Sequence, residues 1–242
     1  MRSSVTILHA ADVHVGSGEP AAAAFSALMG LARSRAFAAL VIAGDLFDHA
    51  RVSQDSVDWV AQELGSLDIQ VVILPGNHDL HGPESIYARF DQEHHYSTLH
   101  VLSDPNGETF EVKDADLTFW GRPILEHSPE TRPLVGIPKR PDHGWSVVVA
   151  HGTAKSSDEP TVEGSPMYPS DFNVIDWDYV ALGHIPRFLC VSESPVPAYY
   201  AGSTVRSIDD RPGGAAIVDL SRDHGATVTW VSLDNPLWTD AR

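Results

Sequence analysis

Short apolar runs recur along the first part of the chain, and each stops at a polar, glycine-containing segment. Val5–Ala10, Ala39–Ala43 and residues 69–74 are the first three. Runs of five or six residues bounded by turn formers predict buried strands. Helical patterns lie between them. Pro20 opens one expected to reach about Phe37, with Phe25, Leu28, Met29 and Ala32 on one face. Ser53 has the residue type and place of an N-cap for a second, whose inner face is Val57, Val60, Ala61 and Leu64. Pro83 is expected to start another short helix.

From about His100 the pattern changes. Residues 101–102, 109–112 and 117–120 read as short strands separated by Gly, Asn and Asp turns. Residues 147–150 and 179–182 are again buried strands. Residues 215–220 and 226–231 flank Ser221-Arg222-Asp223-His224-Gly225 as a hairpin. The segment 153–172, rich in Ser, Pro, Asp and Glu, is expected as a long surface loop near a site. An α/β first half and a mostly β second half predict an α/β fold of two sheets sharing one core. The expectation is one domain over residues 1–242.

Charge narrows the choice of partner. Acidic residues outnumber basic ones 33 to 16, a formal charge of −17. That field repels polyanions, and non-specific nucleic-acid binding relies on Lys and Arg neutralising phosphates. Nucleic acid is therefore a disfavoured partner. Cys190 is the only cysteine, so an internal disulfide and a thiolate cluster are excluded, and the residue is expected to be a small buried hydrophobe. The longest apolar stretch, residues 21–32, is too short to span a bilayer, and no signal peptide is read. No membrane association and a cytoplasmic location are expected.

The candidate chemistry lies at the strand ends. Asp12 and His14 follow the first run, Asp45 and Asp48 the second, and Asn77, His78 and Asp79 the third. His151 and His184 follow the runs at 147–150 and 179–182. Parallel strands present ligands at their carboxyl ends, so one shared site explains all five. Carboxylate, imidazole and amide oxygen suit divalent Mn, Fe, Zn and related ions. A single Asp carboxylate can bridge two such ions about 3.5–4 Å apart, an arrangement that activates water and clamps a phosphoryl group.

The ordered set Asp12-x-His14, Gly44-Asp45-x-x-Asp48, Gly76-Asn77-His78-Asp79, His151-Gly152 and Gly183-His184 resembles the calcineurin-like metallophosphoesterase superfamily. Leu8-His9-Ala10-Ala11 before Asp12, and Tyr200-Ala201-Gly202-Ser203-Thr204-Val205-Arg206, look most like its SbcD-type nuclease branch. The resemblance implies a four-layer α/β/β/α sandwich and two divalent metal ions, manganese first among Mn, Fe, Zn, Co and Ni. It implies that Asp12 and His14 hold the first metal, that Asp45 bridges, and that Asn77, His151 and His184 hold the second. It further implies that His78 faces the substrate, as the catalytic acid that protonates the leaving oxygen or as a stabiliser of charge on the phosphoryl group, with Asp48 and Asp79 orienting the ligand histidines or tuning the catalytic one. Arg206 and Asn77 are candidate substrate contacts; for Arg206, a loop-stabilising role is the alternative. Arg122 is a weaker phosphate candidate.

Position 186 departs from the family, which has a second histidine there; Pro186 offers no donor atom. Water, or His9, His49 or His81, would then complete the first site, or the protein works with one metal or none. The expected function is a metal-dependent phosphodiesterase acting on a small nucleotide-like substrate. A DNA exonuclease is one alternative, although that branch carries a further DNA-contacting domain for which little chain follows Arg206. A non-catalytic scaffold is the other. His94, His95, His100, His127, His143 and His224 lie in no motif and are expected to be surface or structural residues.

Overall fold

Alternation of strand and helix builds the first sheet and its outer cover. The computed structural model describes residues 2–93, 96–207 and 210–234. In chain order come β1 (Val5–Ala10), α1 (Glu19–Ser34), β2 (Ala39–Ala43), α2 (Gln54–Gly65), β3 (Gln70–Leu74), α3 (Ile86–Glu93) and β4 (Leu99–Val101). The second half continues with β5 (Glu108–Val112), β6 (Leu117–Gly121), β7 (Trp145–His151), β8 (Thr153–Ala154), β9 (Pro166–Met167) and α4 (Pro169–Phe172). It closes with β10 (Tyr179–Gly183), β11 (Leu189–Ser192), β12 (Ala198–Tyr200), β13 (Gly214–Ser221) and β14 (Gly225–Ser232).

The strands form two mixed six-stranded sheets, ordered β14-β13-β1-β2-β3-β4 and β11-β12-β10-β7-β6-β5. β1 to β4 run parallel, as do β6, β7, β10 and β12, so their carboxyl ends point the same way within each sheet. The period-two pleat divides each strand's side chains between two cores. Leu8, Leu40, Ile42, Val71 and Ile73 face outward onto Phe25, Leu28, Val57 and Val60 of α1 and α2. Ile7, Val41, Val72 and Leu74 face inward onto Val147, Val149, Tyr179 and Ala181 of the second sheet. The outer face of that sheet, with Val148, Ala150, Val180 and Leu182, is covered by Leu134, Phe172, Ile175 and Trp177. Two sheets with a cover on each side make the α/β sandwich expected from the sequence, its outermost cover built from the short α4 and irregular chain.

Some local expectations change. α1 ends at Ser34, where Arg35 turns extended, three residues before Phe37. Ser53 caps α2 as expected, its side chain accepting from the Ser56 N–H. The third helix begins at Ile86, after a turn at Pro83. The 153–172 segment carries β8, β9 and α4; a two-residue parallel pair, Thr153↔Pro166 and Ala154↔Met167, is too short to leave a periodic signal. Cys190 is exposed, not buried, because β11 is an edge strand. His94 and His95 lie outside the described residues. His100 stacks on Phe110 with ring centroids 3.9 Å apart, and is structural.

Candidate metal centre

The strand ends of both sheets meet at one place. Asp12 follows β1, Asp45 follows β2, Asn77 and His78 follow β3, His151 ends β7 and His184 follows β10. Leaving a strand this sharply requires unusual backbone. Among the described residues, seven non-glycine positions have positive φ, and Asp12, His14, Asp45 and His184 are four of them. Such conformations cost free energy and concentrate where surrounding structure enforces a site. Gly44 (φ +90) and Gly76 leave room for it: a Cβ at Gly44 would strike the His151 ring, and one at Gly76 would strike Asp45.

Two groups of side chains have the spacing of metal ligands. His14, Asp45 and His78 form one; Asp45, His151 and His184 form the other. In each, the ligand atoms lie within 4.8 Å of one another. Asp45 belongs to both. Its Oδ2 is 3.3 Å from His151 Nε2 and 3.9 Å from His14 Nε2, and its Oδ1 accepts the His78 backbone N–H at 2.9 Å. Asn77 joins the second group: its Oδ1 lies 2.9 Å from His151 Nε2 and 2.8 Å from His184 Nδ1. Asp12 is buried behind them and accepts the His184 backbone N–H at 3.1 and 3.2 Å.

A supporting layer holds these groups. Asp48 Oδ1 is 3.1 Å from His14 Nδ1, which turns Nε2 toward Asp45. His151 Nδ1–H donates to the Ala43 carbonyl at 2.8 Å, leaving the Nε2 lone pair to face Asn77 and Asp45. Asp79 ties two ligand loops together, accepting from the Gly76 N–H at 2.7 Å, the Phe47 N–H at 3.0 Å and the Tyr87 hydroxyl at 2.6 Å. The Ser203 hydroxyl donates to the Asp12 carbonyl at 2.9 Å.

The donor set fits divalent cations. The Nε2 lone pair of a neutral His151, an amide oxygen and a carboxylate oxygen converge on one point, where acceptors repel unless a cation or a proton lies between them. Burial raises the Asp12 carboxyl to about 7, with His151 opposing the rise and nearby Asp45 adding to it. His151 is raised to about 9: burial opposes the shift, and the Asp45 carboxylate outweighs it. His184 is lowered to about 4, by burial first and then by the neighbouring His151 and His127.

The remaining sequence candidates lie apart from these groups. His9 is buried, its Nδ1 3.0 Å from the Tyr179 hydroxyl. His49 and His81 join neither ligand group among the described residues; His78 is the second histidine of the first group. Arg206 bonds Asp210 at 2.7 Å and Asp234 at 2.9 Å. Arg122 donates to the Pro105 and Val135 carbonyls. One neighbour of the centre has no motif to mark it: the His127 ring lies 5.1 Å from that of His184.

Residues 5–188 match the model of a family described as calcineurin-like phosphoesterase. Over 221 residues the chain is 27% identical to the DNA double-strand break repair protein Mre11 of Methanopyrus kandleri, a match covering 81% of this chain and 48% of that protein. The chain thus spans about half the length of this relative. The crystal structure of TT1561 of Thermus thermophilus superposes with a TM-score of 0.60 at 9% identity, covering 96% of this chain and all of the other. A second crystal structure reaches 0.63 at 14% identity with the same coverage. At these identities the structural likeness is one of fold.

Proposed function

Because the chain belongs to the calcineurin-like phosphoesterase family, we propose that it is a metal-dependent phosphodiesterase with a dinuclear centre, acting on a small nucleotide-like diester. The observation carrying this reading is Asp45, a buried carboxylate shared by two ligand groups. Asp12 and His14 are assigned to the first metal, Asn77, His151 and His184 to the second, and Asp45 to both. When bound, two divalent ions, manganese in our reading, lower the pKa of water and neutralise charge on the phosphoryl oxygens.

The protein's own groups supply the rest. Asp45 Oδ2 and His151 Nε2, both buried, lie 3.3 Å apart and face the same point, so each fixes where the other's donor atom sits. His78 lies at the mouth, its ring 4.6 Å from that of His14. Its Nδ1–H donates to the Asp48 carbonyl at 2.9 Å, so the proton it exchanges sits on Nε2. An exposed imidazole with one nitrogen anchored suits protonation of the departing alcohol. Asp48 also orients His14. Pro186 provides no ligand, and water completes the first site in this reading.

His78 also stands in the first ligand group, so its two roles must be separated experimentally. Bis(p-nitrophenyl) phosphate hydrolysis with Mn is the assay. For His78→Ala we expect a loss of at least about 100-fold in kcat, with metal content by mass spectrometry near that of the wild type. Loss of one metal equivalent in step with activity makes His78 a ligand and overturns its role as acid. Inactivity of the wild type across Mn, Fe, Co and Ni, with no metal bound, favours the scaffold reading.

A further inference from the structure

We propose that His127 is a substrate-binding residue of this centre, donating a hydrogen bond from Nε2 to a phosphoryl oxygen of the substrate. This rests on the phosphodiesterase reading and adds a contact for the reacting group. No sequence motif contains His127; its placement carries the inference.

The residue sits in the irregular connection between β6 and β7, yet its ring is inclined 49° to that of His184 at 5.1 Å. Although exposed, it is held in place. Its Nδ1 is 3.0 Å from the hydroxyl of Ser165, a fully buried residue with left-handed backbone (φ 50). The Ser165 N–H donates to the Ser128 carbonyl at 2.8 Å, and the Ser165 carbonyl accepts from Thr153 at 3.0 Å. Gly164 packs against the ring; a Cβ there would lie 2.6 Å from it. Two separate connections thus grip one imidazole beside the centre.

The polar atoms define what it can bind. Nδ1 lies 3.0 Å from the Ser165 hydroxyl, a group that both donates and accepts. The proposed contact requires the tautomer in which that hydroxyl donates and the hydrogen sits on Nε2; a protonated imidazole carries one there too. Nε2 bonds to none of the described residues. The candidate ligands beside it are mainly acceptors, whereas a phosphoryl group brings anionic oxygens in need of donors. Arg122 and Arg206 are held by carbonyls and carboxylates elsewhere.

The test is inorganic phosphate binding by calorimetry to Mn-loaded wild type, His127→Ala and His127→Gln, with metal content measured on each. His127→Ala is expected to weaken phosphate about tenfold, the scale of one hydrogen bond to a charged group, at unchanged metal content. KM for the diester should rise more than kcat falls, and His127→Gln should recover part of the affinity. Equal phosphate affinity in wild type and His127→Ala overturns the inference while leaving the phosphodiesterase reading intact. Metal loss in His127→Ala overturns it as well, making the residue a brace for His184. A wild type that takes up neither metal nor phosphate removes both readings.

Discussion

Asp45 carries more of the proposed chemistry than any neighbouring side chain. It lies against His14, His78 and His151 at once. Burial by itself would raise its carboxyl, but those contacts outweigh burial and hold it below the ordinary range. Asp45→Ala is accordingly expected to lose both metals and to reduce activity by at least about 1,000-fold, since binding and water activation fail together. Metal stoichiometry after desalting checks this; retention of one equivalent would mean that the two groups do not share it. The identity of this residue was readable from Gly44-Asp45-x-x-Asp48, because the ligand, the glycine and the orienting Asp48 lie within one turn. His127 was not readable. Its significance depends on Ser165 and Gly164, which reach it from a separate segment, and no local spacing connects them.

Among the elements, the loops after β2 and β3 act as one unit through Asp79. Its carboxylate accepts from Gly76 on one loop, Phe47 on the other and Tyr87 on α3. Removing it leaves three donors without their partner in a buried site. We expect Asp79→Ala to cost roughly 3 kcal/mol of stability and to weaken metal binding, because Asp45 and Asn77 sit on the same loops. Urea unfolding with and without Mn measures both effects; an unchanged midpoint would dismiss the coupling. The strands bearing these loops were legible as uniform apolar runs. β8, β9, β11 and β12 were not, being two to four residues long and either solvent-facing or dependent on partners distant in sequence.

For the whole molecule, His9 joins the two sheets. It lies on β1, is fully buried, and meets the Tyr179 hydroxyl on β10 at 3.0 Å. Burial lowers its pKa to about 3, with the Leu182 backbone opposing only in part. The unfolded chain binds this proton near 6.5 and the folded one does not until about 3, so stability present above pH 6.5 is lost as pH falls toward 3. The limiting slope is about 1.4 kcal/mol per pH unit for one proton. Urea midpoints between pH 7.5 and 5, taken in chelator to remove the metal's own pH dependence, should fall less steeply for His9→Asn than for wild type. Parallel slopes would rule His9 out as the source.

Local pattern was enough to name the polar candidates at the strand ends and the strands that carry them, because both signals are short-range: an apolar run, then a polar residue within a few positions. The two-sheet α/β class was legible too, since strand and helix periodicities differ over short windows. Three outcomes came from packing instead: Asp45 is common to two groups, His78 rather than His9, His49 or His81 lies beside His14 and Asp45 in the first, and Arg206 turns toward Asp210 and Asp234. Packing likewise brought His127 to the centre. These outcomes depend on how two sheets and their connections meet across the whole chain, and contact between distant segments leaves no period or spacing in the sequence.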